Sequence, residues 1–281
     1  MWIKKQVISS NFELVLFGDN QEGNRLSYIP GFLKVIDYIA THKNVYALHM
    51  GDEVEAIWIK DPRYSPIIHK ITPENQKKNV VNYLKPIKSK LITILFGNHS
   101  KILYETNGDI TRSICEELGV GYAKEDCGGY SCVVSFCDKK GEMFKGYFTH
   151  GKKPIRSIAD DPIRNLANQK LQLKQHLKHK FSDCILMAKG HTHKLIISEP
   201  INQLFLTTGV NGIKQHYTGY IGGNYIHPDH RWYVNTGSFL KTSEEGVLSY
   251  SEYFEYDPVE LGYAVVEVHD RQITGIRKVV V

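Results

Sequence analysis

The chain has 281 residues, of which 42% are hydrophobic and 23% charged, and its formal net charge is +5. This balance is ordinary for a globular protein, and no run approaches the roughly 18 apolar residues that a membrane-spanning helix requires. Residues 1–6 lack the apolar core of a secretory signal. No block of Lys and Arg is dense enough to form an arm that binds nucleic acid. We therefore expect a cytoplasmic protein with no membrane partner.

Strand-like apolar runs and helix-like segments alternate along the first two thirds of the chain. The apolar runs cover residues 12–17, 45–50, 91–96, 143–149 and 185–188, and each is followed within two residues by Gly. Residues 130–136 and 143–149 are typical of a hairpin. Helices are predicted at about 29–39, 73–84 and 160–178. The apolar stripe of the last one consists of Ile163, Leu166, Ala167, Leu171 and Leu177.

The remainder of the chain is rich in strand-forming residues, near 194–201 and again at the C-terminus. Between these stretches, residues 207–232 are rich in Gly, Tyr and His, which predicts an irregular loop insertion. Alternating strands and helices favour an α/β fold, while the β-rich end argues against a purely parallel sheet. We expect one domain, 1–281, in which two mixed sheets pack together and are flanked by helices.

Polar residues of the kinds that bind metals follow the five apolar runs. Ligands of open α/β sheets gather beyond the carboxyl ends of strands, so residues distant in sequence can converge there. Carboxylates, an amide oxygen and imidazoles without thiolates suit hard or borderline divalent ions. The candidates are Asp19, Asp52, Asn98, His150, His191 and His193.

Such a set is suited to hydrolysis of phosphoesters. Two cations roughly 3.5–4 Å apart can clamp the phosphoryl oxygens and lower the pKa of a bridging water. One carboxylate must bridge both ions, and Asp52 is the candidate. His99, which follows Asn98, is placed to protonate the leaving oxygen as general acid.

The ordered motifs resemble those of calcineurin-like metallophosphoesterases, over residues 12 to about 240. They are Gly51-Asp52, Gly97-Asn98-His99, His150-Gly151 and Gly190-His191-Thr192-His193, with Gly18-Asp19-Asn20-Gln21 where that family usually has Asp-x-His. The resemblance implies a four-layer α/β/β/α sandwich and two divalent ions. One ion would be held by Asp19, Gln21, Asp52 and His193, and the other by Asp52, Asn98, His150 and His191.

Two residues depart from the family pattern. Gln21 replaces the usual histidine, and it is either a ligand through its carbonyl oxygen or the mark of a weakened first site. Similar Asp-x-Gln motifs occur in manganese-dependent relatives, so we expect Gln21 to be a ligand and Mn²⁺ the preferred metal, with Fe, Zn, Ni or Mg as alternatives. Ser100 stands where an acidic residue is common, which predicts a looser orientation of His99.

By this resemblance the chain is a small enzyme of the bacterial or phage type, in which metal-bound hydroxide attacks phosphorus. Its substrate is a phosphomonoester or phosphodiester, and a nucleotide or nucleic acid is compatible with the basic charge. A nuclease of the same superfamily and a non-catalytic binding module of the same fold stay open as alternatives. The sequence does not indicate an oligomeric state.

Other residues have less specific interpretations. Cys127, Cys132 and Cys137 favour reduced thiols over a zinc knuckle, because no CxxC pair occurs. Lys152, Lys153 and Arg156 either meet substrate phosphate or lie on a solvated loop. His216, His227 and His230 favour surface positions over an accessory metal site. Packing is favoured over nucleobase stacking for the aromatic residues Tyr217, Tyr220, Tyr225, Trp232 and Tyr233.

Overall fold

The chain folds into two large β-sheets with helices on their outer sides. The computed structural model describes residues 1–69, 71–120, 129–210, 212–219 and 224–281. The strands are β1 (Trp2–Val7), β2 (Phe12–Phe17), β3 (Val45–His49), β4 (Leu91–Ile94), β5 (Ser131–Asp138), β6 (Gly141–Thr149), β7 (Leu186–Lys189), β8 (Leu195–Ser198), β9 (Leu204–Gly209), β10 (Gly212–Tyr217), β11 (Trp232–Thr236), β12 (Gly262–His269) and β13 (Gln272–Val280). The α-helices are α1 (Ile29–Thr41), α2 (Pro73–Leu84), α3 (Asn98–Asn107), α4 (Ile110–Leu118), α5 (Pro162–Leu177) and α6 (Tyr250–Tyr253).

Both large sheets mix parallel and antiparallel strands. The first has the order β13-β12-β2-β3-β4, in which β2, β3 and β4 are parallel. The second has the order β1-β5-β6-β7-β11-β8, in which β6, β7 and β11 are parallel. The expectation of two mixed sheets is therefore confirmed.

Three apolar cores separate four layers. The first lies between α1, α2 and α4 and the outer face of the first sheet. The second lies between the two sheets, and the third between the second sheet and α5. This is the α/β/β/α sandwich implied by the resemblance.

Strand β2 shows why the apolar runs lack a polar alternation. Leu14 and Leu16 point into the core between the sheets, while Val15 and Phe17 point into the core under the helices. Successive side chains of a strand point to opposite faces, and both faces of this strand are covered. An uninterrupted apolar run is the consequence.

Most predicted elements are present, and two differ. Part of the predicted loop 207–232 forms the exposed antiparallel hairpin of β9 and β10, because backbone pairing does not require a buried face. The predicted stripe of α5 is wrong except at Leu177: the helix packs on the sheet through Leu173 and Leu177, and Ile163, Leu166, Ala167 and Leu171 are exposed. Strand β1, which pairs parallel with β5, and helices α3 and α4 were not predicted from the sequence.

Cys132, Cys137 and Cys184 are buried free thiols, as expected for the first two. Cys127 lies outside the described residues, and Cys115 is disulfide-bonded. Within the described part of the chain, every helix is too short or too polar to span a membrane.

Candidate metal centre

All seven predicted ligands and His99 follow the carboxyl ends of strands. The parallel strands β2, β3 and β4 carry Asp19, Asp52 and Asn98 just beyond their ends, and β6 and β7 carry the three histidines. The loops of the two sheets meet at Gly190, where an added Cβ would lie 3.0 Å from Asp19 Oδ2 and 3.3 Å from the carbonyl oxygen of Met50. The sandwich therefore brings both sets of loops to one place.

The first group of ligand atoms surrounds the ring of His150. Its Nδ1 lies 2.8 Å from the carbonyl oxygen of Met50, which can only accept a hydrogen bond, so Nδ1 carries a proton. Its Nε2 lies 3.1 Å from Asp52 Oδ2 and 3.0 Å from Asn98 Oδ1. Neutral His150 thus directs a lone pair at two acceptor oxygens. This arrangement needs a shared cation, either a proton or a metal ion.

The charges of this group reflect that need. Burial lowers the pKa of His150, but Asp52 outweighs burial and raises it to about 9. Burial raises the pKa of Asp52, but His150 and His99 outweigh it and hold the pKa below its ordinary value. A fully buried carboxylate that stays ionised is the form that binds a divalent ion.

His191 completes this first group. Asp52, His150 and His191 each offer an atom, and these atoms all lie within 4.8 Å of one another. Burial and the charge of His150 lower the pKa of His191 to about 4. Its ring is therefore neutral at physiological pH, which is the state that binds metals.

The second group consists of Asp19, Gln21 and His193. His193 Nε2 lies 3.4 Å from Asp19 Oδ1 and 3.3 Å from Gln21 Nε2. Asp19 Oδ1 is buried without a hydrogen-bond partner. A half-turn of the Gln21 amide exchanges two atoms of nearly equal size and would present its oxygen at the same point. The glutamine is thus positioned where a carbonyl ligand is needed.

Three contacts link the two groups of ligand atoms. The backbone N–H of His191 donates to Asp19 Oδ2 at 3.2 Å, and Gln21 Nε2 lies 3.5 Å from His99 Nε2. His99 Nε2 in turn lies 4.0 Å from Asp52 Oδ2. The structure therefore brings together all eight residues that the sequence singled out.

The backbone of the site is strained. Ten non-glycine residues among those described have positive φ, and five of them are predicted ligands. Asp, Asn and His adopt this conformation more often than other non-glycine residues, whereas for Gln it is uncommon, and a residue held in it costs about 1–3 kcal/mol. Strain of this kind persists where the surroundings over-determine it, as they do at functional sites. The five are Asp19, Gln21, Asp52, His191 and His193, with φ between 44° and 74°.

His99 is oriented by a residue that the sequence reasoning missed. Its Nδ1 lies 2.7 Å from the carbonyl oxygen of Glu55 and 3.7 Å from Glu55 Oε2, which leaves Nε2 facing the site. Burial lowers the pKa of His99, but Asp52 and Glu55 together outweigh it, so the pKa is raised. The spacing Asp52-x-x-Glu55 was the signal available in the sequence.

A second histidine holds Glu55 in turn. The backbone N–H of Ser65 donates to His69 Nδ1 at 2.9 Å, so the ring proton of His69 is on Nε2. That atom donates to Glu55 Oε1 at 3.2 Å, and both side chains are buried. Nothing in the local sequence indicated this contact, which joins residues from two loops.

The sequence predicted that Ser100 would loosen the orientation of His99, but the structure gives Ser100 a different role. Ser100 is buried, and its hydroxyl donates to Glu53 Oε1 at 3.1 Å, where Thr111 also donates. Burial raises the pKa of Glu53 to about 7. Ser100 thus anchors the start of α3, and Glu55 rather than residue 100 holds the ring of His99.

The aromatic residues and loop histidines among the remaining candidates do not join the centre. Trp232 pairs with Leu186 at the beginning of β7, so the aromatic residues near it lie at the opposite end of the sheet from the ligands. Tyr233 is buried in the core, and Tyr220 lies outside the described residues. His216 contacts Phe205 in the hairpin. Within the described chain, the metal-ligand cluster of three or more His, Cys, Asp or Glu is that of Asp52, His150 and His191.

Comparison with known proteins gives structural neighbours only. No protein-family model and no curated protein matches the chain. Vacuolar protein sorting 29 from Cryptosporidium parvum is 14% identical, with a TM-score of 0.41 and coverage of 96% of this chain and 99% of that chain. Vps29 from Chaetomium thermophilum is 13% identical, with a TM-score of 0.41 and coverage of 95% and 97%.

Haemophilus influenzae NAD nucleotidase is 10% identical, with a TM-score of 0.37. The match covers 95% of this chain but 49% of the nucleotidase, so the chain spans about half of that protein. Identities and scores this low carry no functional argument. The function is therefore inferred from the site itself.

Proposed function

We propose that the protein hydrolyses phosphomonoesters or phosphodiesters with a pair of divalent metal ions. The observation that supports this most directly is the geometry around His150. Because His150 Nδ1 carries a proton, its Nε2 is an acceptor that faces Asp52 Oδ2 and Asn98 Oδ1. A cation would satisfy all three acceptor atoms. Asp19 Oδ1 in the neighbouring group is a further acceptor of this kind, because it is buried without a hydrogen-bond partner.

The donor atoms fit the two ions that the resemblance implies. One ion would be held by the second group with Asp52, and the other by the first group with the same carboxylate. Oxygen and imidazole donors without thiolates suit manganese, which we propose as the metal, and also Fe, Zn, Ni or Mg. When bound, such a pair supplies Lewis-acid stabilisation of the phosphoryl oxygens and a water of lowered pKa.

The protein's own contribution is orientation and a proton. The Glu55 carbonyl holds the Nδ1 proton of His99 and turns Nε2 toward the ligand atoms. Asp52 and Glu55 favour the imidazolium form, against the effect of burial. His99 is thereby placed to donate its Nε2 proton to the leaving oxygen of the ester. Both Asn98 and His99 are presented by the first turn of α3.

The test is turnover of nitrophenyl phosphate mono- and diesters by protein that has been stripped with a chelator and reloaded with Mn²⁺. We expect Mn²⁺-dependent turnover in the wild type. Asp52→Ala should lose bound metal and turnover together. Wild-type protein that binds two Mn²⁺ ions without hydrolysing either ester would contradict the proposal and favour a binding module.

A location in the cytoplasm and a single domain stay predictions.

A further inference from the structure

An exposed cluster of aromatic rings lies on the segment between β11 and β12. Its members pack on one another: the centroids are 4.4 Å apart for Tyr250 and Phe254, 4.9 Å for Tyr253 and Phe254, and 6.0 Å for Phe254 and Tyr256. The four residues are between 46% and 80% exposed. Contiguous apolar surface of this kind marks a binding site more often than scattered single residues do.

Packing between loops connects the segment that carries this cluster to the loop that supports His99. The segment that carries the cluster also contains Leu240 and Val247. These residues pack with Leu26 and with Ile68, which lies in the loop before α2. Ile68 is followed by His69, which holds Glu55 and through it the ring of His99. The loop of Ile68 and His69 therefore supports both the segment of the aromatic cluster and the orientation of His99.

Arg63 belongs to the same loop as Ile68 and His69. Its guanidinium is held by Asp61 through Nε at 3.0 Å and Nη2 at 2.8 Å, and its side chain is 43% exposed. Asp61 is the main cause of its raised pKa, and the charges of Glu55 and Tyr250 add to the rise. Arg63 is therefore within electrostatic range of both the residue that orients His99 and the aromatic cluster.

A second positive group comes from another segment of the chain. Arg156 belongs to the segment that follows His150 and, with Arg63, opposes the raised pKa that burial gives Tyr250. Arg63 and Arg156 are therefore both within electrostatic range of Tyr250.

We propose that this site takes a phosphoester that carries a nucleobase, with the base on the aromatic cluster and the flanking phosphate near Arg63 and Arg156. The proposal rests on the proposed hydrolysis at the same site and names its substrate class. Exposed rings beside guanidinium groups match a planar, uncharged base joined to an anion, because bases stack on aromatic faces and phosphates pair with arginine. The base can belong to a free nucleotide or to the end of a single strand.

The test compares AMP with ribose 5-phosphate, which has the same sugar phosphate and no base. Binding is measured by calorimetry on Mn²⁺-loaded protein that carries His99→Ala, so that neither ligand is consumed. Base stacking predicts that AMP binds between about fivefold and about a hundredfold more tightly. In protein that also carries Tyr250→Ala and Phe254→Ala, the ratio of the two affinities should fall toward one.

Tyr225→Ala is the matched control. Tyr225 is 58% exposed against 59% for Tyr250, and it lies at the other end of the sheet, where the backbone N–H of the next residue, Ile226, donates to the carbonyl oxygen of Ser182. This variant should keep the wild-type ratio. Metal content and the thermal midpoint of each variant show that it is folded.

If protein with Tyr250 and Phe254 intact bound AMP and ribose 5-phosphate equally tightly, the proposal would be overturned. This holds whatever the turnover of nitrophenyl esters. A ratio that depends on Tyr250 and Phe254 in a protein without turnover would support stacking and count against the proposed hydrolysis alone. A thymidine octanucleotide separates the two sources. Stronger, salt-sensitive competition by the octanucleotide assigns the surface to a strand end, and weaker competition assigns it to a free nucleotide; both outcomes support stacking.

Discussion

Gly97→Ala tests the metal centre with the smallest possible change. A Cβ at this position would lie 2.0 Å from Asp52 Oδ1 and 2.4 Å from the backbone nitrogen of Asp52. The backbone of Gly97 has φ −90° and ψ 177°, which alanine adopts without strain. The effect of the substitution is therefore steric and falls on the proposed bridging ligand.

The size of the effect follows from these distances. Real Cβ atoms do not approach other atoms closer than 3.0 Å, so Asp52 must move by about 1 Å. Asp52 Oδ1 also accepts the backbone N–H of His99 at 2.9 Å, so the general acid moves with it. A misplacement of about 1 Å costs about a hundredfold in rate, or about 2.7 kcal/mol in the activation barrier. Overpacking should also lower the free energy of unfolding by about 1–3 kcal/mol.

The assay is kcat/KM for a nitrophenyl phosphodiester in Mn²⁺, with bound metal measured by elemental analysis. Gly219→Ala is the control, because it is the same chemical change at a glycine with no atom within 4 Å of the added Cβ. We expect the control to keep wild-type values. If Gly97→Ala also kept its metal and its kcat/KM, the close approach of Asp52 would not matter to the site, and the reasoning would be refuted.

Three further predictions concern the same site. Mn²⁺ at a hundredfold excess over its Kd should stabilise the wild type by about 2.7 kcal/mol, and Asp52→Ala should abolish the rise in thermal midpoint; an unchanged rise would exclude Asp52 as a ligand. His99→Ala should keep bound Mn²⁺ but lower kcat by about 10²–10⁴-fold, and a loss of metal instead would make His99 a ligand rather than an acid. His69→Phe removes the hydrogen bond to Glu55 and should lower kcat about tenfold with KM and metal content unchanged, as is typical when an outer hydrogen-bond partner is lost. A parallel change in KM would indicate that His69 shapes the pocket instead of positioning His99.

The positions of the ligands in the sequence determined much of the site. Each candidate from Asp19 to His193 follows a strand, and parallel strands in a sheet end at one edge, so their convergence could be argued before the fold was known. The continuous apolar runs likewise indicated strands covered on both faces, and the four layers follow from covering them.

Packing between distant segments decided the rest. The support of His99 by Glu55 and His69 depends on how the loop around Ser65 folds back, and the placement of the Tyr250 cluster depends on contacts of Val247 with Ile68. The same holds for α5, whose buried face is set by where the helix ends over the sheet. Hydrophobic periodicity is a property of residues close together in the sequence. It therefore predicts the faces and ends of individual helices and strands. Contacts such as that between Glu55 and His69 form only when the loops pack against one another, so the tertiary structure decided them.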